Sequence, residues 1–171
     1  TAGTGTVYAA ASTYTLPSAT STLYAKWTAN VYTVTYNYNG ADGGNSTASS
    51  TFTTGGTAIT LPTPTKSNYT FAGWYSDSSF TTAIGGAGAS YSPNSVGTSL
   101  NAYAKWTANT YTVTYNYNGA DGGNTVVSDS FTTGGAPITL PTPTRTGYVF
   151  GGQGAIVTTG LALQYDVNTA Y

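Results

Sequence analysis

Apolar and polar residues alternate strictly over Val31–Tyr38. Tyr32, Val34, Tyr36 and Tyr38 fall on one face, and Val31, Thr33, Thr35 and Asn37 on the other. A period of two predicts a half-buried β-strand with the Tyr/Val face on a core. Asn39-Gly40 and Asp42-Gly43-Gly44 follow, and these residues favour tight turns. Ser49–Thr53 and Thr57–Leu61 are short strand candidates around the Gly55-Gly56 break. Pro62 and Pro64 predict an extended segment suited to a sheet edge, because proline donates no ladder hydrogen bond. Tyr69–Tyr75 reads as a further strand. Ser76–Ala83 is polar and weakly helical at most. Asn101–Thr107 alternates again, with Ala102, Ala104 and Trp106 on one face and Tyr103 and Lys105 on the other. No stretch has helical periodicity. The expectation is a mainly β fold with little or no helix, built from about five short strands per module.

The pattern repeats. Tyr24–Asn30 recurs at Tyr103–Asn109, 79 positions on, and Tyr32–Asn45 recurs at Tyr111–Asn124 with the same offset. Phe52 and Phe131 each begin FTTGG, and Leu61 and Leu140 each begin LPTPT. Such self-similarity implies tandem copies of one module of 79 residues. Residues 30–108 form a complete module. Residues 1–29 read as the C-terminal part of a module, and 109–152 as the N-terminal part of one. At Gln153, where the complete copy has Trp74, the match stops. The tail 153–171 is not repeat sequence and is expected to supply one or more strands. A small module depends on large rings for its core. The candidate core is Trp27, Tyr36, Tyr69, Phe71, Trp74, Trp106, Tyr115, Tyr148 and Phe150.

Composition removes most chemistry. The chain has four Lys/Arg, five Asp and no His, Cys, Met or Glu, with 5% charged residues, against about 25% in ordinary domains. Thiol nucleophiles, imidazole bases, Cys/His metal sites and disulfides are therefore excluded within the chain. The expectation is no enzymatic activity and no cofactor. Four scattered cations give no electrostatic footprint for nucleic acid, and no apolar run approaches the roughly 18 residues of a membrane span. A neutral, hydroxyl-rich, sulfur-free surface suits an exposed extracellular or cell-surface protein. The chain starts at Thr1 without Met, which reads as a processed product or a fragment.

The order YTVTYNYNGADGG, FTTGG, LPTPTKSNYTFAGWYSD, LNAYAKWTAN resembles the Listeria–Bacteroides repeat, also called the internalin B-type repeat. Its Y-x-V-x-F/Y strand with an Asn-Gly turn, its P-x-x-x-G/N-Y-x-F-x-G-W-Y segment and its L-x-A-K-W ending all occur in 30–108. The resemblance implies a β-grasp-like module, found in tandem in secreted or cell-surface bacterial proteins as a spacer or adhesive segment. It implies no catalytic residues. Gln153 departs from the G-W-Y signature. Residues 160–166 resemble the opening strand of a lectin-like jelly-roll domain.

Individual side chains suggest further sites, each with a plainer reading. Asp42 and Asp121 in NGADGGN could begin a Ca²⁺ loop, but one carboxylate per loop fits a Gly-rich turn better. Lys26, Lys66 and Lys105 could form isopeptide bonds with Asn, yet the usual buried Glu does not exist; Lys stems lying over aromatic rings are the simpler reading. Thr33, Thr35, Thr112 and Thr114 form T-x-T rows like those of ice-binding sheets, though solvent-facing Thr is common on sheets. Asn45 and Asn68 match the N-glycosylation pattern. Tyr32, Tyr38, Tyr103 and Tyr117 are candidates for stacking on surface glycans.

The unequal copies suggest the most specific function. Residues 1–29 carry what the part-module 109–152 lacks. The expected partners are copies of the chain itself, head to tail, or neighbouring repeats of a longer chain, with Leu23, Ala25 and Trp27 on the inter-subunit strand. A filament subunit is the reading this leads to. The alternative is a carbohydrate-binding surface module that uses exposed Tyr.

Overall fold

The alternation over Val31–Asn37 is realised as strand β1 in the computed structural model, which describes residues 6–15, 20–93, 98–124 and 126–154. The strand-bearing tail expected at 153–171 therefore lies almost wholly outside the described residues. The chain divides into two units, Thr1–Thr107 and Ala108–Tyr171. No helix occurs among the described residues. The fold is mainly β, as the period-two pattern predicts.

Eight further strands follow β1 in the first unit. They are β2 (Gly43–Gly44), β3 (Ser49–Thr53), β4 (Ile59–Thr60), β5 (Pro64–Thr65), β6 (Tyr69–Tyr75), β7 (Ala83–Gly85), β8 (Ser90–Tyr91) and β9 (Leu100–Ala108). Five make the main sheet, in the order β3-β1-β9-β6-β7. β1 pairs antiparallel with β3, Val31 to Thr53 through Thr35 to Ser49. On its other side β1 pairs parallel with β9, Val34 to Leu100 through Asn37 to Tyr103. A parallel neighbour requires a long crossover, and the chain between β3 and β9 supplies it. β4 falls within the expected Thr57–Leu61 candidate, but its partner β8 and the pair β2–β5 were not expected as strands, because two-residue pairings leave no periodicity to read.

Turn chemistry fixes these connections. Asn39 and Gly40 have φ of 49° and 78°, and the Asn37 side-chain oxygen accepts the Asn39 N–H at 3.1 Å. Gly44, at φ +81°, lies so close to β5 that an added Cβ would sit 2.3 Å from the Thr63 carbonyl oxygen. Only glycine fits that approach.

The core lies under the Tyr/Val face of β1. Val34, Tyr36, Leu61, Trp74, Ala102 and Ala104 are buried together, with Phe71, Leu100 and Trp106 packed at its margin. Trp74 is fully buried. Its ring meets Tyr36 at 5.2 Å, Tyr38 at 5.3 Å and Phe71 at 5.7 Å between centroids, in the tilted and edge-to-face geometries that aromatic pairs prefer. Its indole N–H donates to the Pro62 carbonyl at 3.0 Å, and that of Trp106 to the Tyr38 carbonyl at 3.0 Å. Alanines at the two buried positions of β9 leave volume for these rings, a small-against-large arrangement typical of close-packed cores.

The second unit contains β10 (Thr110–Thr114), β11 (Gly122–Gly123), β12 (Ser128–Thr132) and β13 (Pro143–Thr144). β10 pairs antiparallel with β12, and β11 with β13, in the same registers as their counterparts 79 positions earlier. Counterparts of β4, β6, β7, β8 and β9 do not occur among its described residues. β10 is correspondingly shorter than β1 and stops before Tyr115, where β1 continues to Asn37.

The expected core is corrected at several positions. Trp27 is 89% exposed, and its segment pairs with no described strand. Tyr148 and Phe150 are exposed, because their counterparts in β6 are held by β9 and β7. Tyr115 is half-buried, as are Tyr69, Phe71 and Trp106 at the rim of the first core. Leu61, which did not stand out in the sequence, is 1% exposed, whereas Leu140 at the same place in the second unit is 55% exposed.

Candidate functional site

The residues singled out for chemistry are occupied in holding turns. The Asp42 carboxylate accepts the Ser67 N–H at 2.7 Å, and Asp121 accepts the Thr146 N–H at 2.8 Å. Hydrogen bonds from the Ser67 side chain and backbone hold Asp42 below the usual carboxylate range, and those from Thr146 do the same for Asp121. These carboxylates therefore close the loop between β1 and β6, and between β10 and Tyr148. No group of three potential metal ligands occurs among the described residues.

The cations cover rings. Lys66 lies 4.6 Å from the Tyr69 ring centroid and donates to the Asn39 carbonyl at 3.2 Å. Arg145 repeats this over Tyr148 at 4.3 Å and towards the Asn118 carbonyl at 3.3 Å. Lys105 lies over Tyr75 at 5.0 Å. Lys26 lies on the exposed segment before β1. The Asn45 side-chain oxygen accepts both the N–H and the hydroxyl of Thr47, and Asn68 has a positive φ of 64°. Thr33 and Thr35 face Thr51 and Ser49 across β3, and Asn101 of β9 stands beside Thr35. The Thr row is thus interrupted on that side.

Tyr32, Tyr38, Tyr103 and Tyr117, expected to be exposed, are all half-buried. The Tyr38 hydroxyl donates to the Thr47 carbonyl at 2.7 Å, and Tyr117 donates to Val126 in the same way. A shallow cleft of about 410 Å³ lies beside Asn37, Asn101 and Tyr103.

The most distinctive feature is the side of β10 away from β12, which pairs with no strand among the described residues. In the first unit the matching side of β1 carries β9. The sequence of β10 and its turn, Tyr111–Asn124, is identical to that of Tyr32–Asn45. The residues that would face the missing strand's core side are Val113 and Tyr115, counterparts of Val34 and Tyr36. The Tyr115 hydroxyl donates to Asp129 at 3.1 Å, as Tyr36 does to Ser50. Gln153, in the place of Trp74, donates from Nε2 to the Pro141 carbonyl at 3.1 Å. It reproduces the indole hydrogen bond without the ring. The half-frame is built to the complete unit's pattern, but no described strand covers its apolar face, and Phe131 is 41% exposed, against 3% for Phe52. Leu23, Tyr24 and Trp27 lie exposed before β1, in a segment that shares Tyr-Ala-Lys-Trp-Thr-Ala-Asn with the end of β9.

The model of the Listeria-Bacteroides repeat domain matches residues 32–105 and again 111–152. The chain belongs to this family. The two matched spans coincide with the complete unit and the part-unit just described. Among curated proteins it is similar to two from Evansella cellulosilytica. One, provisionally named a Gly-rich membrane protein, is 35% identical over 142 residues, covering 82% of this chain and 15% of the relative. The other, provisionally named a membrane protein, is 37% identical over 123 residues, covering 71% and 17%. The chain thus spans less than a fifth of the length of either relative. No solved structure matches it. The repeat family is surface-associated. No helix among the described residues is long and apolar enough to cross a membrane.

Proposed function

We propose that this repeat protein is a non-enzymatic, extracellular structural or adhesive segment, and that it assembles head to tail. Residues 1–29 of one copy complete the part-module 109–152 of the next, and a heterologous contact of this kind propagates an open filament. The observation that carries the reading is the pair of unequal units. One is closed by a parallel strand, and the other has the same frame and an uncovered apolar face. An open edge of this kind recruits a strand. The work is mechanical: the module holds a shape and presents surfaces. The absence of His, Cys and Glu from the sequence supports a role without nucleophilic or acid–base catalysis.

Removing residues 1–29 tests the reading, since the described residues of that segment contribute no strand to the first unit. The full chain is expected to form head-to-tail polymers by electron microscopy and sedimentation, and the shortened chain to remain monomeric. Polymers that persist unchanged would contradict the assembly.

A second reading, a glycan-binding surface, draws on the cleft that Asn37, Asn101 and Tyr103 line. Binding on a glycan array that is lost with Tyr103→Ala would support it, and uniformly negative arrays would remove it.

A further inference from the structure

The pairing of β1 with β9 gives the open edge a register. β9 lies parallel to β1 with Val34 opposite Leu100, Thr35 opposite Asn101, Tyr36 opposite Ala102 and Asn37 opposite Tyr103. Moving each residue by the 79-position repeat sets Val113 opposite Ser21, Thr114 opposite Thr22, Tyr115 opposite Leu23 and Asn116 opposite Tyr24. The alternation survives this transfer. Leu23 and Ala25 fall where Ala102 and Ala104 are buried. Thr22 falls where Asn101 faces solvent beside Thr35, both exposed. A slip of one residue would turn Leu23 outward and Thr22 inward.

Two sequence differences between the units are complementary in volume. In the complete core the fully buried Trp74 shares the cluster with the small Ala102. In the part-unit the large ring is replaced by Gln153, and the segment that matches β9 replaces the small alanine by Leu23. One position loses volume and another position of the same cluster gains it. Volume-conserving exchanges are the ones a packed core accepts best. The segment Ser21–Trp27 therefore fits the part-unit better than it fits the complete unit, whose place for that strand β9 already fills.

From these observations we infer that Ser21–Ala25 of a second copy of this chain docks as a parallel strand on Val113–Asn116, with Leu23 filling the volume that Gln153 leaves. The inference rests on the head-to-tail reading and gives it a docking site, a strand direction and a specificity residue. Leu23 is the key that distinguishes the part-unit from the complete one, because a Trp at 153 would leave no room for it.

The chain has no cysteine, so introduced pairs report register cleanly. Neighbouring strands are about 4.8 Å apart, within the span a disulfide bridges. Full-length T22C/T114C under mild oxidation is expected to give a ladder of disulfide-linked oligomers. T20C/T114C, slipped by two residues on the same face, is expected to give about tenfold less. Equal ladders from both would overturn the register. A cross-linked monomer would overturn the second copy as occupant and place the strand within one chain. Association of the native chain in sedimentation without any ladder would overturn the docking geometry and leave the head-to-tail reading standing. No association of the native chain would remove both.

A size-swap cycle tests the key. Leu23→Ala and Gln153→Trp are each expected to weaken association about tenfold, through an under-filled and an over-filled core. Together they recreate the pairing of the complete unit and are expected to restore it. Additive losses in the double variant would overturn the role of Leu23.

Discussion

At the scale of the residue, Trp74 and Gln153 show how one side chain separates a closed module from an open one. Both donate a hydrogen bond to the carbonyl of the first proline in the LPTPT segment. Only Trp74 adds a ring that touches Tyr36, Tyr38 and Phe71. Trp74→Ala should cost about 3–5 kcal/mol in chemical denaturation of the first unit. Gln153→Ala should change stability far less, because Gln153 is only half-buried. The aspartates give a pH dependence. Asp42, Asp77 and Asp121 all titrate below the ordinary Asp value of 3.8 because backbone and side-chain donors bind the ionised form. Their contribution is present above that value and is lost as pH falls through the lower folded values. Melting temperature should therefore fall on acidification below about pH 4, and the fall should be shallower in Asp42→Asn/Asp121→Asn. An equally steep fall in that variant would show that other groups control acid unfolding.

At the scale of the element, the long strands were legible in the sequence, and of the two- and three-residue strands of the first unit only β4, inside Thr57–Leu61, was. Val31–Asn37 and Asn101–Thr107 alternate over enough residues to reveal a face, Ser49–Thr53 and Tyr69–Tyr75 read as strands from composition and turn flanks, and each lies in a strand. Gly43–Gly44 and Pro64–Thr65 read only as turn and edge chemistry, yet they pair. Their pairing depends on a close backbone approach that arises in three dimensions. Gly44→Ala tests that approach. It places a Cβ against the Thr63 carbonyl in a left-handed residue and should destabilise the first unit by more than about 1 kcal/mol. Gly55→Ala, also left-handed but with open space around it, should cost less. Equal losses in thermal or denaturant unfolding would show that conformation alone, without the β2–β5 contact, sets the cost. The aromatic candidates illustrate the same limit. Ring type predicted burial for Trp74 and Tyr36, but Trp27, Tyr148 and Phe150 carry the same sequence signature and lie exposed. Burial there depends on a strand partner, which local sequence does not supply.

At the scale of the whole molecule, the repeat was the most legible feature, and it leads directly to the family. The recurrence of 79 positions, the matched spans 32–105 and 111–152 and the two sets of equivalent turns express the same duplication. The sequence also pointed to the inequality of the copies. The parallel register of β1 and β9 came only from the structure, because a crossover connection leaves no local trace of which strand it returns beside. Under the proposed head-to-tail assembly, that register makes the part-unit the acceptor and Ser21–Ala25 the donor strand. Surface attachment and adhesion would then rest on a chain of modules in which each contact is a missing strand restored, rather than on a ligand pocket.

Hydrogen–deuterium exchange at the Thr114 and Asn116 amides, which point away from β12, followed as a function of protein concentration, tests the assembly most directly. Slow exchange is expected at high concentration, approaching that of Thr35 and Asn37, and fast exchange on dilution or when residues 1–29 are removed. Exchange at Thr114 and Asn116 that is the same at every concentration, with or without residues 1–29, would contradict head-to-tail docking.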